Sequence, residues 1–361
     1  MELKPYECDG LSAYRQSPML VVLPETVDQV AGILRACGRH GVPVVARGAG
    51  TGLSGGALPL ADGVLLVMAR FNRILELDEK RRIATVQPGV RNLAISEAAA
   101  PHGLYYAPDP SSQIACSIGG NVAENAGGVH CLKYGLTVHN ILKLKVVTID
   151  GELHTFGSDA LDSPGLDVLA VMTGSEGLLG VVVEITVKLL PTPSNMSLLL
   201  AAFADVESAG AAVGGVIADG IIPAGLEMMD NFAIRATEDF AHCGYPVDAA
   251  AILLCEVDGT AEDTQDQVQR VKRVMQQHGA TEVRIARDED ERLLFWRGRK
   301  MAFPAMGRIS PDYYCIDGTI PRDKLPLVLG RMLEWSKEYE LRVANVFHAG
   351  DGNLHPLILY D

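Results

Sequence analysis

The order of hydrophobic and polar positions predicts alternating helices and short strands in the first half of the chain. Apolar residues recur at helical spacing within 27–37, and Gly41 then precedes a short apolar run. This order predicts a helix that starts at Thr26, followed by a buried strand. Residues 63–69 form another apolar run, and residues 179–191 form a longer one that proline closes. Both runs predict strands.

Two hairpins are predicted between these strands. ILELD and RIATVQ flank a charged turn, and residues 142–157 carry the pair Asp150-Gly151 near their centre. Asp-Gly between apolar runs is a strong signal for a two-residue hairpin turn. The second hairpin is therefore expected to turn at these two residues.

The pattern changes after Pro191 and Pro193. Glycine clusters become fewer, and amphipathic segments predict helices over 206–218 and 261–278. We therefore place a domain boundary near 193–196. Strands are predicted in MSLLLAAF, AAAILLCEVDG, TEVRIA, DYYCIDGTI and ANVFHAG.

Composition argues against several classes of protein. The 361 residues carry 45 acidic and 31 basic side chains, a net charge of −14, which disfavours nucleic-acid binding. The seven cysteines include no C-x-x-C, which argues against a disulfide framework, a zinc ribbon and a cysteine-ligated iron–sulfur cluster. No secretory signal and no uncharged apolar stretch of about 18 residues is visible. We expect a cytoplasmic protein with reduced thiols and no transmembrane segment.

Glycine clusters are the first functional clue. They lie in RGAGTGLSGG (47–56), in 108–128 and in 173–185. The first matches G-x-G-x-x-G, but Pro59 and Gly63 deny the helix that a dinucleotide fingerprint needs at its third glycine. Its exposed backbone N–H groups instead predict a nest for phosphate, with the guanidinium of Arg47 beside it; a surface turn is the alternative. Together, the three loops are expected to wrap one long phosphate-bearing ligand.

These loops resemble the FAD-binding domain of the vanillyl-alcohol oxidase/p-cresol methylhydroxylase (PCMH) flavoprotein superfamily. The resemblance is carried by RGAGTGLSGG, PDPSSQIACSIGGNVAENAGG, YG and GSEGLLG. Further stretches are similar to the family of FAD-linked D subunits of bacterial glycolate oxidase, near the D-lactate and D-2-hydroxyglutarate dehydrogenases. These stretches include PYECDGLSAYR, GLEMMDN, GYPVDAAAILLCE and VANVFHAGDGNLHP. The resemblance covers essentially the whole chain.

The resemblance implies an α+β fold in two domains. Residues 17–194 would form a PCMH-type FAD-binding domain of two subdomains. Residues 195–361 would form an α+β FAD-linked oxidase C-terminal domain that binds the substrate. The family continues past Asp361 with a G-E-H-G motif and starts earlier than this chain, so we expect the second domain to be truncated.

The resemblance also assigns residues to FAD. The pyrophosphate would lie on Arg47, Gly48, Ala49, Gly50, Thr51, Gly52, Ser54 and Gly55. The flavin and ribityl region would lie along Pro110, Ser111, Ser117, Gly120, Asn121 and Asn125. The pocket would be completed by Gly128, Tyr134, Gly135, Glu176, Gly177 and Val182. Because residues 48–57 contain no histidine or cysteine, FAD is expected to be non-covalent.

A second candidate site is the segment from His348 to His355, HAGDGNLH. A two-residue turn at Asp351-Gly352 would pair these histidines and place both imidazoles on one face, with Cβ atoms about 5 Å apart. Such a pair suits a divalent metal such as zinc, and two unrelated loop histidines are the alternative. The resemblance implies the same metal role, with a downstream glutamate that this chain lacks. A histidine of the pair, or a metal-bound base, is the catalytic candidate for the hydroxyl proton.

The segment WRGRK (296–300) supplies cations for a substrate carboxylate. An α-hydroxy acid must be held through this carboxylate so that its C–H faces flavin N5. Arg299 matches the carboxylate-binding arginine of the relatives, and Arg297 and Lys300 are the alternatives. Asp317 and Tyr314 are further candidates for the pocket.

The expected function is FAD-dependent oxidation of glycolate, or a similar D-2-hydroxy acid, to the 2-oxo acid. D-lactate or D-2-hydroxyglutarate oxidation is the alternative within this class, and a non-catalytic FAD-binding subunit is the alternative outside it. Without a cysteine cluster, the chain is expected to pass electrons to a second FAD-binding subunit and an iron–sulfur subunit. Such partners would also permit peripheral association with the inner face of the cytoplasmic membrane.

Overall fold

The computed structural model describes residues 3–159 and 165–360, which fall into two compact units. The first unit comprises Met1–Gly128 and Tyr134–Thr192, and the second comprises Val129–Lys133 and Pro193–Asp361. The sequence pattern does not reveal that residues 129–133 pack with the second unit. No helix among the described residues is both long and apolar enough to span a membrane.

Short strands and helices alternate through the first unit. Their described bounds begin with a 3₁₀ turn at Lys4–Tyr6, β1 (Leu20–Val22), α1 (Val27–His40), β2 (Val44–Arg47), β3 (Val64–Val67), β4 (Ile74–Asp78), β5 (Ile83–Val86) and α2 (Asn92–Ala99). They continue with a 3₁₀ turn at Ala100–His102, β6 (Leu104–Tyr105), α3 (Ile118–Glu124), α4 (Cys131–Tyr134), which crosses the unit boundary, α5 (Thr137–Asn140), β7 (Ile141–Val147), β8 (Leu153–Gly157), α6 (Val168–Met172), β9 (Val181–Lys188) and β10 (Leu190–Pro191).

The first unit contains a parallel and an antiparallel sheet among its described residues. The parallel sheet has the strand order β1-β3-β2, and the antiparallel sheet has the order β4-β5-β9-β7-β8. Helix α1 confirms the predicted helix: the Thr26 hydroxyl accepts from Gln29 N, and Gly41 ends the helix in the left-handed conformation. Its apolar stripe is buried as predicted, at Val30, Ala31, Leu34 and Cys37.

The hairpin of β7 and β8 turns differently from the prediction. Thr148 pairs with Glu152, so the loop holds three residues, 149–151, rather than two. The Asp150 carboxylate accepts a hydrogen bond from Glu152 N, and Gly151 adopts a φ of 78°. A two-residue type I′ turn needs positive φ at both positions, and Asp150 does not have it. The aspartate therefore closes the turn through its side chain.

The second unit continues the alternation with longer elements. In chain order these are β11 (Asn195–Phe203), α7 (Val206–Ala218), β12 (Gly225–Asp230), α8 (Asn231–Ala241), β13 (Ala251–Gly259), α9 (Ala261–Gln277), β14 (Ala280–Ile285) and α10 (Glu289–Met306). They continue with β15 (Asp312–Cys315), β16 (Gly318–Thr319), a 3₁₀ turn at Arg322–Lys324, α11 (Leu325–Glu338), β17 (Arg342–Phe347), β18 (Asn353–Leu354) and β19 (Pro356–Tyr360).

One antiparallel sheet of seven strands forms the centre of the second unit, in the order β14-β11-β13-β12-β17-β19-β15. Helices cover both faces. Leu198 and Leu200 of β11 lie in the core layer with α8 and α10, whereas Leu199 and Ala201 lie in the layer with α7, α9 and α11. Because both faces are buried, the strand reads as a continuous apolar run in the sequence. The predicted α+β architecture is confirmed.

Candidate functional site

The three glycine-rich loops lie side by side in the first unit. A Cβ atom at Gly48 would lie 2.1 Å from the Ser117 Oγ, so the first loop runs against the start of α3. Ser54 Oγ donates to Glu124 Oε2 at 3.1 Å, which ties the same loop to the end of α3. The third loop reaches this end as well, because Glu176 N donates to the Ala123 carbonyl at 2.8 Å. The structure thus brings together loops that are more than 50 residues apart in the sequence.

The sequence predicts that the Arg47 guanidinium is open to a phosphate group, and this prediction is not met. Its side chain is buried, and Nη1 donates to the carbonyls of Cys8 and Ala57 at 2.9 and 3.2 Å. A Cβ at Gly50, where φ is 71°, would lie 2.2 Å from Arg47 Nη2. The guanidinium therefore stabilises the loop through these hydrogen bonds, and the missing side chain of Gly50 leaves space for the guanidinium. Along the loop, Ala49 is exposed, and Thr51, Gly52 and Gly55 are half-buried.

Several predicted cofactor residues shape the loops through contacts within the protein. Asn121 is buried, and its Oδ1 accepts from Asn92 Nδ2 at 2.9 Å. Asn125 adopts a φ of 50°, and its Oδ1 accepts from Val138 N. The Ser117 hydroxyl caps α3 by accepting from Gly120 N. Because these groups already have partners, their contribution is the shape of the backbone around them.

The remaining predicted cofactor residues are distributed along the same loops. A Cβ at Gly128 would lie 2.5 Å from the backbone of Asp109, and Gly135 adopts a φ of 80°. The ring of Tyr134 packs edge-on against Tyr105 at 6.2 Å. Pro110 and Ser111 precede α3, Gly177 adopts a φ of 75° in the third loop, and Val182 lies in β9 opposite Val146.

Glu124, the last residue of α3, is a residue of this region that sequence reasoning missed. Burial raises the pKa of its carboxyl group, the hydrogen bond from Ser54 opposes that shift, and the nearby Glu176 and Asp9 reinforce it. Its signal in the sequence is a charged residue inside the small-residue run 108–128.

The second unit contains a buried charged cluster on one face of its sheet. Met228 of β12 pairs with Phe347 of β17, so the next residues along, Glu227 and His348, lie opposite each other. His348 Nδ1 lies 2.9 Å from Glu227 Oε1 and 3.0 Å from Oε2. The strand pairing thus places a carboxylate beside one of the predicted histidines.

His355 joins this cluster, although the predicted hairpin register is wrong. His348 bridges to Asn353 rather than to His355, and the intervening loop holds four residues. The reason is again an aspartate that closes the turn, because Asp351 Oδ1 accepts from Asn353 N. The pairing moves by two residues, which keeps side chains on the same face of the strands. The two imidazoles consequently remain neighbours, with ring centroids 5.0 Å apart.

Arg299 reaches the same cluster from α10. Its side chain is 1% exposed, its Nε donates to Glu227 Oε2 at 2.8 Å, and Nη2 lies 2.7 Å from the same oxygen. Nη1 is buried and has no hydrogen-bond partner among the described residues. The alternative Arg297 is exposed and donates to the Ala241 carbonyl at the end of α8, and Lys300 is half-buried. Of the three cations, the structure brings Arg299 to the histidines.

The two histidines have different protonation behaviour. Burial lowers the pKa of His355 to about 3, with the positive charges of His348 and Arg299 acting in the same direction. Burial also opposes protonation of His348, but the charge and hydrogen bond of Glu227 outweigh it and raise the pKa. His355 is therefore a neutral imidazole at neutral pH, and it lies beside His348, whose protonated form Glu227 favours.

The cluster fits a metal ion only in part. Metal-ligating histidines commonly donate a hydrogen bond from their second ring nitrogen to a carboxylate, as His348 Nδ1 does to Glu227. The Asp317 carboxylate lies 3.5 Å from His355 Nδ1, whereas Tyr314 is exposed on β15. Within residues 3–159 and 165–360, no group of three or more histidine, cysteine, aspartate or glutamate side chains forms a metal site.

Glu227 is the residue of this cluster that sequence reasoning missed. It lies in GLEMMDN, a stretch that carries the family resemblance, but no strand was predicted there. The available signal was a single carboxylate in an otherwise apolar run.

Comparison with known families agrees with both units. Residues 18–157 match an FAD binding domain, and residues 192–361 match the C-terminal domain of FAD linked oxidases. In solved structures, the fold resembles 4-ethylphenol oxidase from Gulosibacter chungangensis, with a TM-score of 0.80 and 18% identity over 99% of this chain and 78% of that one. It also resembles p-cresol methylhydroxylase, with a TM-score of 0.80 and 16% identity over 100% and 79%.

Curated relatives are much more similar in sequence. The chain is 70% identical to glycolate oxidase subunit GlcD of Escherichia coli strain K12, over its whole length and 72% of that protein. It is 38% identical to GlcD of Bacillus subtilis, over 99% of this chain and 76% of that protein. It is 31% identical to a D-lactate dehydrogenase of Anaerostipes hadrus, over 96% and 75%. The chain therefore belongs to the FAD-linked oxidase family, in the group that includes the GlcD subunits of glycolate oxidase.

Proposed function

We propose that this protein oxidises glycolate, or a closely similar D-2-hydroxy acid, to the 2-oxo acid. The observation that carries the proposal is the buried cluster of Arg299, His348 and His355. It combines a fixed cation for a carboxylate with a neutral imidazole for a hydroxyl proton. A carboxylate and a hydroxyl group are the two groups that a small hydroxy acid presents. The 70% identity to a glycolate oxidase subunit supports glycolate as the substrate.

FAD fits the residues of the first unit. The loop at 47–56 presents backbone over a braced arginine, and the loops that contain Ser117 and Gly177 lie against it. Bound FAD supplies the two-electron acceptor for the oxidation. Because residues 48–57 offer no histidine or cysteine, the protein holds the cofactor non-covalently, through backbone N–H groups and shape.

The second unit's residues act on the substrate. Arg299 binds the carboxylate through Nη1, the nitrogen that Glu227 does not use. The hydroxyl proton passes to an imidazole nitrogen of the histidine pair while the C2 hydrogen leaves as hydride, and the alcohol becomes the oxo group. Burial of the cluster excludes water and strengthens these interactions.

D-lactate is the second candidate substrate, since relatives at 31% identity are D-lactate dehydrogenases. It differs from glycolate by one methyl group, a difference that binding sites discriminate only by about 10- to 200-fold. D-2-hydroxyglutarate would need another cation for its second carboxylate.

The electrons then leave through partner subunits. All seven cysteines are free thiols, and the sequence has no C-x-x-C for an iron–sulfur cluster. We therefore assign the onward transfer to a second FAD-binding subunit and an iron–sulfur subunit, in the cytoplasm or at the inner face of the cytoplasmic membrane.

We also propose that the histidine pair binds a divalent metal ion. His348 and His355 would supply two ligands through nitrogens that face away from Glu227 and Asp317. A metal bound through these nitrogens would polarise the substrate hydroxyl group, and a metal-bound base, rather than an imidazole, would then take the hydroxyl proton. Two imidazoles alone leave a tetrahedral ion largely bound to water.

Gly50→Ala should weaken FAD binding at least tenfold. The new Cβ would displace the Arg47 guanidinium, and its backbone would be strained at a φ of 71°. Gly41→Ala is the matched control, because Gly41 also has positive φ, 64°, but nothing lies within 4 Å of the added Cβ. Titration of the deflavinated proteins with FAD gives the affinities, and acid precipitation should release all the flavin. Equal affinities for the two variants would contradict this role of the loop.

Glycolate should bleach the flavin of the purified protein under anaerobic conditions faster than D-lactate, with L-lactate and D-2-hydroxyglutarate slower still. We expect this order because the cluster supplies one cation, Arg299, for a single carboxylate, and because it is buried and suits a small acid. Stopped-flow absorbance with each acid offered separately measures it. D-lactate ahead of glycolate would favour the second candidate. A flavin that no hydroxy acid reduces would indicate a non-catalytic FAD-binding subunit.

Arg299→Ala should lower kcat/KM for glycolate by about 30- to 150-fold, which corresponds to about 2–3 kcal/mol for a lost charge-assisted hydrogen bond. Arg297→Ala is the control, because that side chain binds the Ala241 carbonyl. Rates are normalised to bound FAD, since Arg299→Ala also leaves Glu227 without its cation and destabilises the fold. An inactive Arg297→Ala beside an active Arg299→Ala would assign the carboxylate to the other arginine.

Zinc should bind the dialysed protein weakly, and at least tenfold more weakly still when either His348 or His355 is replaced by alanine. Each substitution removes one of the two imidazoles that would bind the zinc ion. His40→Ala, at the exposed end of α1, is the control. Isothermal titration calorimetry measures the affinity. Unchanged zinc binding by the double histidine variant would exclude the pair as a metal site.

A further inference from the structure

Glu227 is a carboxylate buried in the central sheet of the second unit. It is 1% exposed, and its neighbours on β12, Leu226 and Met228, are fully buried in the core. A buried carboxylate is costly unless charged and hydrogen-bonded partners surround it. An apolar residue would fill this position at less cost, so the contacts of the carboxylate point to a role beyond packing.

The Glu227 carboxylate binds two different groups at once. Oε2 accepts from Arg299 Nε at 2.8 Å, with Nη2 at 2.7 Å. Oε1 lies 2.9 Å from His348 Nδ1. One carboxylate therefore sets the direction of a guanidinium from α10 and of an imidazole that follows β17.

We infer that Glu227 is the positioning residue of the substrate site, and that it selects the tautomer of His348. A carboxylate only accepts hydrogen bonds, so His348 must carry a proton on Nδ1, which leaves the Nε2 lone pair free in the neutral ring. The same carboxylate holds Nε and Nη2 of Arg299 and leaves Nη1 unpartnered among the described residues. The substrate in this inference rests on the proposed function; the tautomer does not.

Glu227→Gln provides a sharp test because the guanidinium constrains the amide. Arginine has only donors, so the amide oxygen must face Arg299 and the NH₂ group must take the place of Oε1. That NH₂ group would lie beside His348 Nδ1 and donate to it. The substitution should therefore move the His348 proton to Nε2 while the contact with Arg299 persists.

The tautomer can be measured without turnover. FAD-loaded protein labelled with ¹⁵N-histidine gives imidazole nitrogen shifts, and His348→Ala identifies the resonances. We expect a proton on Nδ1 in the unmodified protein and on Nε2 in Glu227→Gln. The control is Glu256→Gln on β13, where an equally buried carboxylate contacts Arg292, Trp296 and a different histidine, His130, whose own resonances the substitution will also shift. It should leave the His348 tautomer unchanged.

Steady-state kinetics with glycolate adds a second readout. Glu227→Gln should lower kcat by about 10- to 100-fold, the usual effect of removing a partner that orients a functional histidine. KM should change less than threefold, since Arg299 keeps its acceptor. Glu256→Gln should keep kcat within threefold. A merely structural carboxylate would lower the melting temperature in both variants without separating kcat from KM.

Each outcome decides the inference. A neutral His348 ring that carries its proton on Nε2 rather than Nδ1 in the unmodified protein, recorded at a pH above the raised pKa of His348, overturns it, even if Glu227→Gln does not fold. An altered tautomer with an unchanged kcat shows that Glu227 orients a histidine that the reaction does not use. If glycolate fails to reduce the flavin of the unmodified protein, the proposed function fails, while the nitrogen shifts still decide whether Glu227 selects the tautomer.

Discussion

The buried ion pair of Glu227 and Arg299 is the interaction on which the second unit's site depends. Removing two charges from water costs several kcal/mol for each ion, and only close, well-oriented partners offset that cost. Glu227 meets this requirement with the guanidinium of α10 on one side and His348 on the other. The helix, the central strand β12 and the end of β17 are thereby held in one arrangement. A loss of any of the three groups would leave a buried charge or donor without its partner.

The first unit meets a different constraint, since its glycine-rich loops have few side chains and the ligand contacts that we propose there are made by backbone. Side chains there act from behind: Arg47 binds carbonyls beneath the loop, Ser117 caps α3, and Asn125 supports a neighbouring turn. Because these polar side chains bond to the protein's own backbone, they fix the shape of the loops. The candidate site of the first unit is therefore defined by backbone shape, and that of the second unit by charged side chains.

Periodicity in the sequence predicts the helices well, because an amphipathic stripe and its caps are local properties. The predicted 206–218 helix coincides with α7, and the predicted 261–278 helix ends one residue later than α9. Turn geometry is less accessible. At Asp150 and Asp351, a side-chain hydrogen bond chooses a longer loop than the Asp-Gly pair suggests. The family resemblance identified Arg299 and the histidines, but Glu227 joins them only through strand pairing, which a single sequence does not reveal.

Fold similarity alone leaves the substrate of such a protein open, and the charged cluster narrows it. The solved structures at 16% and 18% identity are named for p-cresol and 4-ethylphenol, substrates without a carboxylate. Here Arg299 is 1% exposed, is held by Glu227, and lies in a cluster with a neutral His355. A carboxylate next to a hydroxyl group could contact both Arg299 Nη1 and a neighbouring imidazole, which is the chemistry of the hydroxy acid that we propose as the substrate.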